Sequence, residues 1–239
     1  MTDPTVAETT ATAVGGLTAG FMLDGQTYKA GAEAGFTGLD FYVAGRCGVL
    51  GDVDADIVSA ALVFWNPDTI RTQWEASADV MSRADAATLF AACLGTWAER
   101  NIRPDALDWS RLAALAAKVA DTATIGGAPL FAGWRAMPVP SDPVGAALHH
   151  MNSLRELRMA RHGGAVLAVG LDPAEAVRHN SPGMAALYGW PEAELPEGTA
   201  ERWAEAEMLT NRATAADYAA LSAAEATEFA ELAAAAVSG

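Results

Sequence analysis

The chain is 239 residues long, 51% hydrophobic and 19% charged, with a formal net charge of −15. That length buries a core as one large domain or two small ones. The composition is too apolar for disorder and too interrupted for a spanning helix, which needs roughly 18 consecutive apolar residues.

The opening MTDPTVAETTATAVGG has no Lys or Arg, so it lacks the basic start of a secretory signal, and a cytoplasmic location with no membrane partner is expected. Residues 1–20 are rich in Thr, Ala and Gly without a period and read as a flexible tail. From Asp24 onward alanine, nearly a quarter of the chain and the strongest intrinsic helix former, predicts helix. Asp24 caps a helix over about 25–33, and residues 38–49 form a second. Asp54 caps ADIVSAALVFW, which stops at Asn66-Pro67 because proline disfavours helical geometry in the residue before it. Asp68 caps the next helix, and Ser82 opens one to about Arg100. Residues 105–120 place Leu107, Leu112, Leu115 and Val119 at helical spacing. Short extended pieces are expected near 128–138 and 208–212. After the turn MPVPSDP a long helix is predicted from about Val144 to His162, bent or ended by Gly163-Gly164.

The next stretch, AVLAV, then Gly170, Leu171 and Asp172-Pro173, has helix-turn-helix grammar. The glycine supplies a turn conformation that other residues resist. Asp at the cap and Pro at the first helical position start the following helix. GRCGVLG, DVD and ADIVSAALVFW repeat the pattern loosely in the first half, and both copies are followed by Trp and Pro. A degenerate duplication and chance similarity between Ala-rich helices both account for this. The expected architecture is mainly α, two helix-turn-helix or winged-helix-like halves packed together with few short strands. The divisions are 1–20 (tail), 21–125 (N-terminal half) and 126–239 (C-terminal, winged-helix-like half).

Three segments resemble an actinobacterial group known only as helix-turn-helix or winged-helix-like, whose genes often lie near antibiotic pathways. YVAGRCGVLG from Tyr42 to Gly51 is like Y-F-A-x-R-A-A-x-L-G, and VSAALVFWNP from Val58 to Pro67 is like V-x-A-T-F-Y-N-F-N-P. PLFAGWRAMPVPSDP, His149, Arg155-Glu156-Leu157-Arg158, His162 and AVLAVGLDPAEAV follow a third pattern of that group. Two departures stand out: the group's R-G-D-G-H is Arg158-Met-Ala-Arg161-His162 here, and its His between two arginines is Leu157. The resemblance implies a fold rather than an activity.

Chemistry concentrates on the long helix. His149, Asn152 and Glu156 lie near one stripe, and Arg155, Arg158 and His162 on a neighbouring one. A solvated face with internal ion pairs, a ligand pocket and a nucleic-acid contact each fit this pattern, because buried charge must be paired or serve a ligand. His149 and His162 are 13 residues apart, about 20 Å along one helix, so they cannot share a metal. No Cys-x-x-Cys, His-Glu-x-x-His or paired Asp motif exists, and no metal site is expected. No cofactor is identified, and a haem held by one His is left open. Tyr42, Arg46, Phe64 and Asn66 form a second candidate set, with Arg46 as an anion anchor or a helix-end partner and Asn66 as ligand contact or cap. No nucleophile elbow, phosphate loop or dinucleotide fingerprint is present.

Two functions remain. One is a small-molecule binder or enzyme of specialised metabolism on a winged-helix-like scaffold. Its pocket between the halves would hold an anionic or carbonyl-bearing molecule, with Tyr42, Arg46, Phe64, Asn66, Arg155 and Arg158 as ligand contacts and His149 and His162 as proton-moving groups. The other is a DNA-binding regulator, weakened by the acidic stretch at 191–209 where a basic wing is needed. A homodimer is left open.

Overall fold

A computed structural model describes residues 4–238. The helices are α1 (Pro4–Thr9), α2 (Ala11–Gly16), α3 (Ala19–Met22), α4 (Gly25–Glu33), α5 (Leu39–Cys47), α6 (Ala55–Ala61) and α7 (Pro67–Ala76), then α8 (Arg83–Asn101), α9 (Trp109–Thr122), α10 (Pro129–Ala136), α11 (Pro143–Ala168), α12 (Pro173–Asn180), α13 (Thr199–Asp217) and α14 (Ala223–Ser238). No strand occurs among the described residues. The fold is mainly α, as the alanine content and caps predict. The expected extended pieces at 128–138 and 208–212 are instead α10 and the middle of α13. Pro129 starts α10, and its apolar residues Leu130, Phe131 and Trp134 bury one helical face.

Capping fixes where several helices begin. Asp24, Asp54, Ser82 and Asp172 each accept a backbone N–H in the first turn. Asn66, rather than Asp68, caps α7, with Pro67 at its first position. The two turns with shared grammar both place a positive-φ glycine shortly before an aspartate cap. Gly51 (φ 79°) precedes the Asp54 cap of α6, and Gly170 (φ 69°) precedes the Asp172 cap of α12.

Two expectations are overturned. The described part of the N-terminal segment is not a flexible tail: α1 packs on α13 and α2 on α11 and α14, burying Ala7, Ala13, Val14 and Leu17. Small side chains give this segment little hydrophobic period but allow close helix approach. Nor does Gly163-Gly164 end a helix, since α11 runs on to Ala168. A Cβ at Gly163 would stand 2.9 Å from a Val63 methyl, so this glycine serves close packing, not a turn.

The 26-residue α11 is the axis of the molecule, packed by α9, α10, α13 and α2. It buries Leu148, Met151, Leu154 and Leu157, and also His149, Asn152, Glu156, Arg158 and His162. Over residues 147–163 no position of the helix is fully exposed, so its buried polar residues need internal partners. Beside it, α5 crosses α8 at an aromatic cluster in which Phe90 meets Phe21, Phe41 and Tyr42. The crossing is close because Gly45 faces Phe90, and a Cβ there would stand 2.6 Å from the Phe90 Cβ. Gly45→Ala is expected to cost about 1–3 kcal/mol through overpacking, read as a lower denaturant midpoint at unchanged helicity.

Candidate functional site

Arg46 near the end of α5 and Glu156 in mid-α11 meet inside the protein, 4% and 1% exposed. Arg46 donates from Nε to Glu156 Oε1 (3.0 Å) and from Nη2 to Oε2 (2.8 Å), a two-point pairing that suits planar groups. Its remaining Nη1 donates to the Tyr42 hydroxyl one helical turn back. Arg155 Nη1 adds a third bond to Glu156 Oε1, at 2.8 Å. Burial pushes the Glu156 carboxyl up, but Arg46 and Arg155 outweigh it and hold its pKa below the ordinary carboxylate value. Burial likewise opposes the Arg46 charge, and Glu156 holds that guanidinium's pKa above its usual range. Two cations share one anion, so the triad keeps a net positive charge.

That charge borders a cavity of about 480 Å³. Arg46, Arg155, Arg158 and His162 line it, with Phe64 and Trp65 from the segment after α6 and Tyr188 and Trp203 from the C-terminal half. Trp65 stacks on Tyr188 at 4.3 Å between ring centres. His162 packs between Phe64 (5.3 Å) and Trp203 (5.0 Å). Arg158 donates from Nη2 to Asn211 Oδ1 (2.9 Å) and stands 3.6 Å from Glu207. Two donors on cavity-lining residues are buried without a partner among the described residues: Arg155 Nε and Arg158 Nη1. Ala11 and Thr12 of α2 complete part of the wall.

Burial and a neighbouring guanidinium disfavour the charged form of the histidine that lines this cavity. Burial, then the nearby Arg158 charge, lowers the His162 pKa to about 4. The Thr210 hydroxyl donates to the Ala206 carbonyl at 2.7 Å and lies 2.9 Å from His162 Nδ1. With the hydroxyl proton so engaged and Glu207 Oε1 3.4 Å from Nδ1, the arrangement favours the tautomer that carries the ring proton on Nδ1 and donates it to Thr210 Oγ1. Nε2 is then a bare lone pair with no hydrogen-bond partner among the described residues.

Of the candidate residues, Arg46, Phe64, Arg155, Arg158 and His162 share the cavity, and three do not line it. Tyr42 sits behind Arg46 as its hydrogen-bond partner. Asn66 caps α7 and donates its side-chain amide to the Gly189 carbonyl at 3.0 Å, so it joins segments rather than contacting the cavity. His149 borders a separate recess of about 250 Å³ beside Trp134 and Met137. Its assignment as a proton-moving group in the same pocket as His162 is therefore corrected: the axial distance along α11 that rules out a shared metal also separates the two imidazoles. Trp203, Tyr188 and Glu207 were missed. Trp203 and Glu207 are spaced four apart on α13, a helical signal hidden in a stretch read only for its acidity. The N-terminal wall residues carry no chemical signal in sequence.

A helix-turn-helix family model matches residues 7–238. The chain belongs to this helix-turn-helix family. No curated protein and no solved structure matches it. The helix-turn-helix formed by α11, Gly170 and α12 turns its second helix inward: Ala174, Ala176 and Val177 are buried, and Ala176, Val177 and Asn180 line the cavity. On the other side of α12, Arg178 donates to the Pro191 carbonyl and Glu175 pairs with Arg202. The corresponding α6 exposes Asp56, Ile57 and Ala60, with Asp56 paired to Arg71. Neither second helix offers a row of free cations. No helix among the described residues is long and apolar enough to cross a membrane.

Two stability predictions follow from the buried charges. Arg46→Ala and Glu156→Ala should each cost about 3–5 kcal/mol, because each leaves an unpaired partner, and the double variant should cost less than their sum in a denaturation cycle. The second concerns acid. His149, lowered by burial and then by His150, and His162 both titrate at about 4 when folded against 6.5 as the ordinary value. Between these values the unfolded chain binds more protons, so stability is full above pH 6.5 and falls as pH drops toward 4. Urea midpoints measured across this window should fall with pH, and His162→Gln should flatten part of the slope.

Proposed function

We propose that this protein binds a small organic anion in the cavity between α5–α6 and α11–α13, as a ligand-binding member of specialised metabolism rather than a DNA-binding regulator. The observation that carries the reading is the convergence of three guanidiniums on one aromatic-walled cavity, two of them with buried unpartnered donors, in a chain of net charge −15. Around the cavity Arg46, Arg155 and Arg158 face the carboxylates of Glu156 and Glu207 while His162 is neutral, which leaves one positive charge for a ligand to neutralise. An acidic ligand against these guanidiniums neutralises that charge through charge-assisted hydrogen bonds, which are worth about 1.5–3 kcal/mol each.

The low basicity of His162 supports holding a ligand over proton transfer near neutral pH. Family membership does not carry DNA binding with it, because fold and site are separable. The inward face of α12 and the acidic stretch before α13 support the same reading.

The test is calorimetry with a panel of small carboxylates, phosphates and sulfonates, each beside a neutral isostere. Acids should bind and isosteres should not. Arg158→Met, which keeps the apolar stem, should weaken the acids tenfold or more, consistent with the 1.5–3 kcal/mol of a charge-assisted bond, at unchanged circular dichroism. Indifference to charge across the panel would overturn the reading. So would nanomolar, sequence-specific binding of duplex DNA in about 150 mM salt, where surface electrostatics reach only about 8 Å.

A further inference from the structure

The polar groups of the cavity are of two kinds, and their order along α11 constrains what can lie there. The guanidiniums of Arg155 and Arg158 line the cavity three residues apart, on one side of the helix, and each also keeps a buried N–H (Arg155 Nε and Arg158 Nη1) without an acceptor. His162 lies one turn beyond Arg158, about 6 Å along the axis, and about 10 Å beyond Arg155. Its Nδ1 edge is engaged by Thr210, with Glu207 Oε1 at 3.4 Å, and its ring is packed between Phe64 and Trp203. What His162 leaves toward the cavity is the Nε2 lone pair, an acceptor without a donor. A second anionic group there would meet that lone pair with no proton between them. A hydroxyl or N–H would satisfy it. Between the two ends the walls are aromatic: Phe64, Trp65, Tyr188 and Trp203.

We infer that the ligand is an arylalkyl monocarboxylic acid with a hydrogen-bond donor at its far end, its carboxylate lying across Arg155 and Arg158 and its phenol hydroxyl or aryl N–H donating to His162 Nε2. The inference rests on the anion-binding reading above and narrows it to one charge, one donor and a flat apolar body. One carboxylate matches the single uncompensated positive charge of the cavity. Flat rings pack against aromatic walls with a gain beyond simple area burial. The fixed tautomer gives selectivity, because a site built to accept from a hydroxyl loses affinity for an analogue that cannot donate.

The experiment compares three probes on the full chain by isothermal calorimetry: 3-(4-hydroxyphenyl)propanoate, its methyl ether and its carboxamide. The ether keeps the charge and loses the donor, and the amide keeps the donor and loses the charge. The hydroxy acid should bind, with the ether and the amide each roughly tenfold weaker or more. His162→Phe, which keeps a ring between Phe64 and Trp203, should abolish the preference for hydroxyl over ether and leave the preference for acid over amide. Thr210→Val, which removes the partner that fixes the tautomer, should narrow the hydroxyl–ether difference and provides the test if His162→Phe does not fold.

Equal binding of hydroxy acid and ether overturns the donor assignment while the anion reading stands. Equal binding of acid and amide overturns both. Failure of all three probes to bind overturns the arylalkyl class, and the broader panel then decides the anion reading by itself.

Discussion

Glu156 carries a full charge at a position 1% exposed, at the centre of the helix around which the molecule is packed. Removing a carboxylate from water costs several kcal/mol even after relaxation, and only close, well-aligned partners offset it. Here those partners come from two places. Arg155 is the neighbouring residue on α11, whereas Arg46 is 110 residues away and arrives only when α5 docks. The ion pair therefore reports correct assembly of the two segments. It does not maximise stability, since apolar residues of the same volume often do as well. Its consequence is polarity: one carboxylate shared by two guanidiniums leaves the adjoining cavity positive inside a strongly acidic chain.

A second tie holds Phe64, Trp65 and Tyr188 in the cavity wall. The Asn66 N–H donates to the Tyr188 carbonyl, the Asn66 side-chain amide to the Gly189 carbonyl, and the Trp190 indole to the Phe64 carbonyl. The segment that follows α6 is thus bonded to the segment that follows α12, with Trp65 stacked on Tyr188 between them. Gly189, at φ 80°, allows the approach, because a Cβ there would collide with Thr69. The tie joins the segments that follow the two second helices, and of those helices α12 turns its apolar face inward while α6 leaves Asp56, Ile57 and Ala60 exposed. In α12 part of that face is a cavity wall, and Arg178 and Glu175 are bonded within the protein. Fold and site are separable, and this arrangement leaves α12 without a basic recognition surface.

Local chemistry was legible wherever one residue dictates one backbone state. Asp24, Asp54, Ser82 and Asp172 mark helix starts because a short acceptor side chain satisfies an otherwise orphaned N–H. Gly170 marks a turn because other residues resist positive φ. The same logic misled at Gly163, where glycine answers to a neighbouring helix and not to its own backbone. It misled again at the N-terminus, where alanines without a strong hydrophobic period pack closely on α11 and α13. Periodicity sees the face of one helix; it does not see which distant surface requires a small residue.

The site divides along the same line. Sequence by itself determined that His and Arg cluster at helical spacing on one long helix, that Tyr42 and Arg46 share a face of another, and that the net charge is −15. Those are consequences of residue identity and of the 3.6-residue period, which require no knowledge of neighbours. Only the tertiary structure decided that Arg46 reaches Glu156, that His162 and not His149 borders the main cavity, and that Trp203 and Tyr188 wall it. Each of these depends on the rotation of α11 relative to α5 and α13. That rotation is set by the summed packing of the whole core, in which no single residue's preference is decisive.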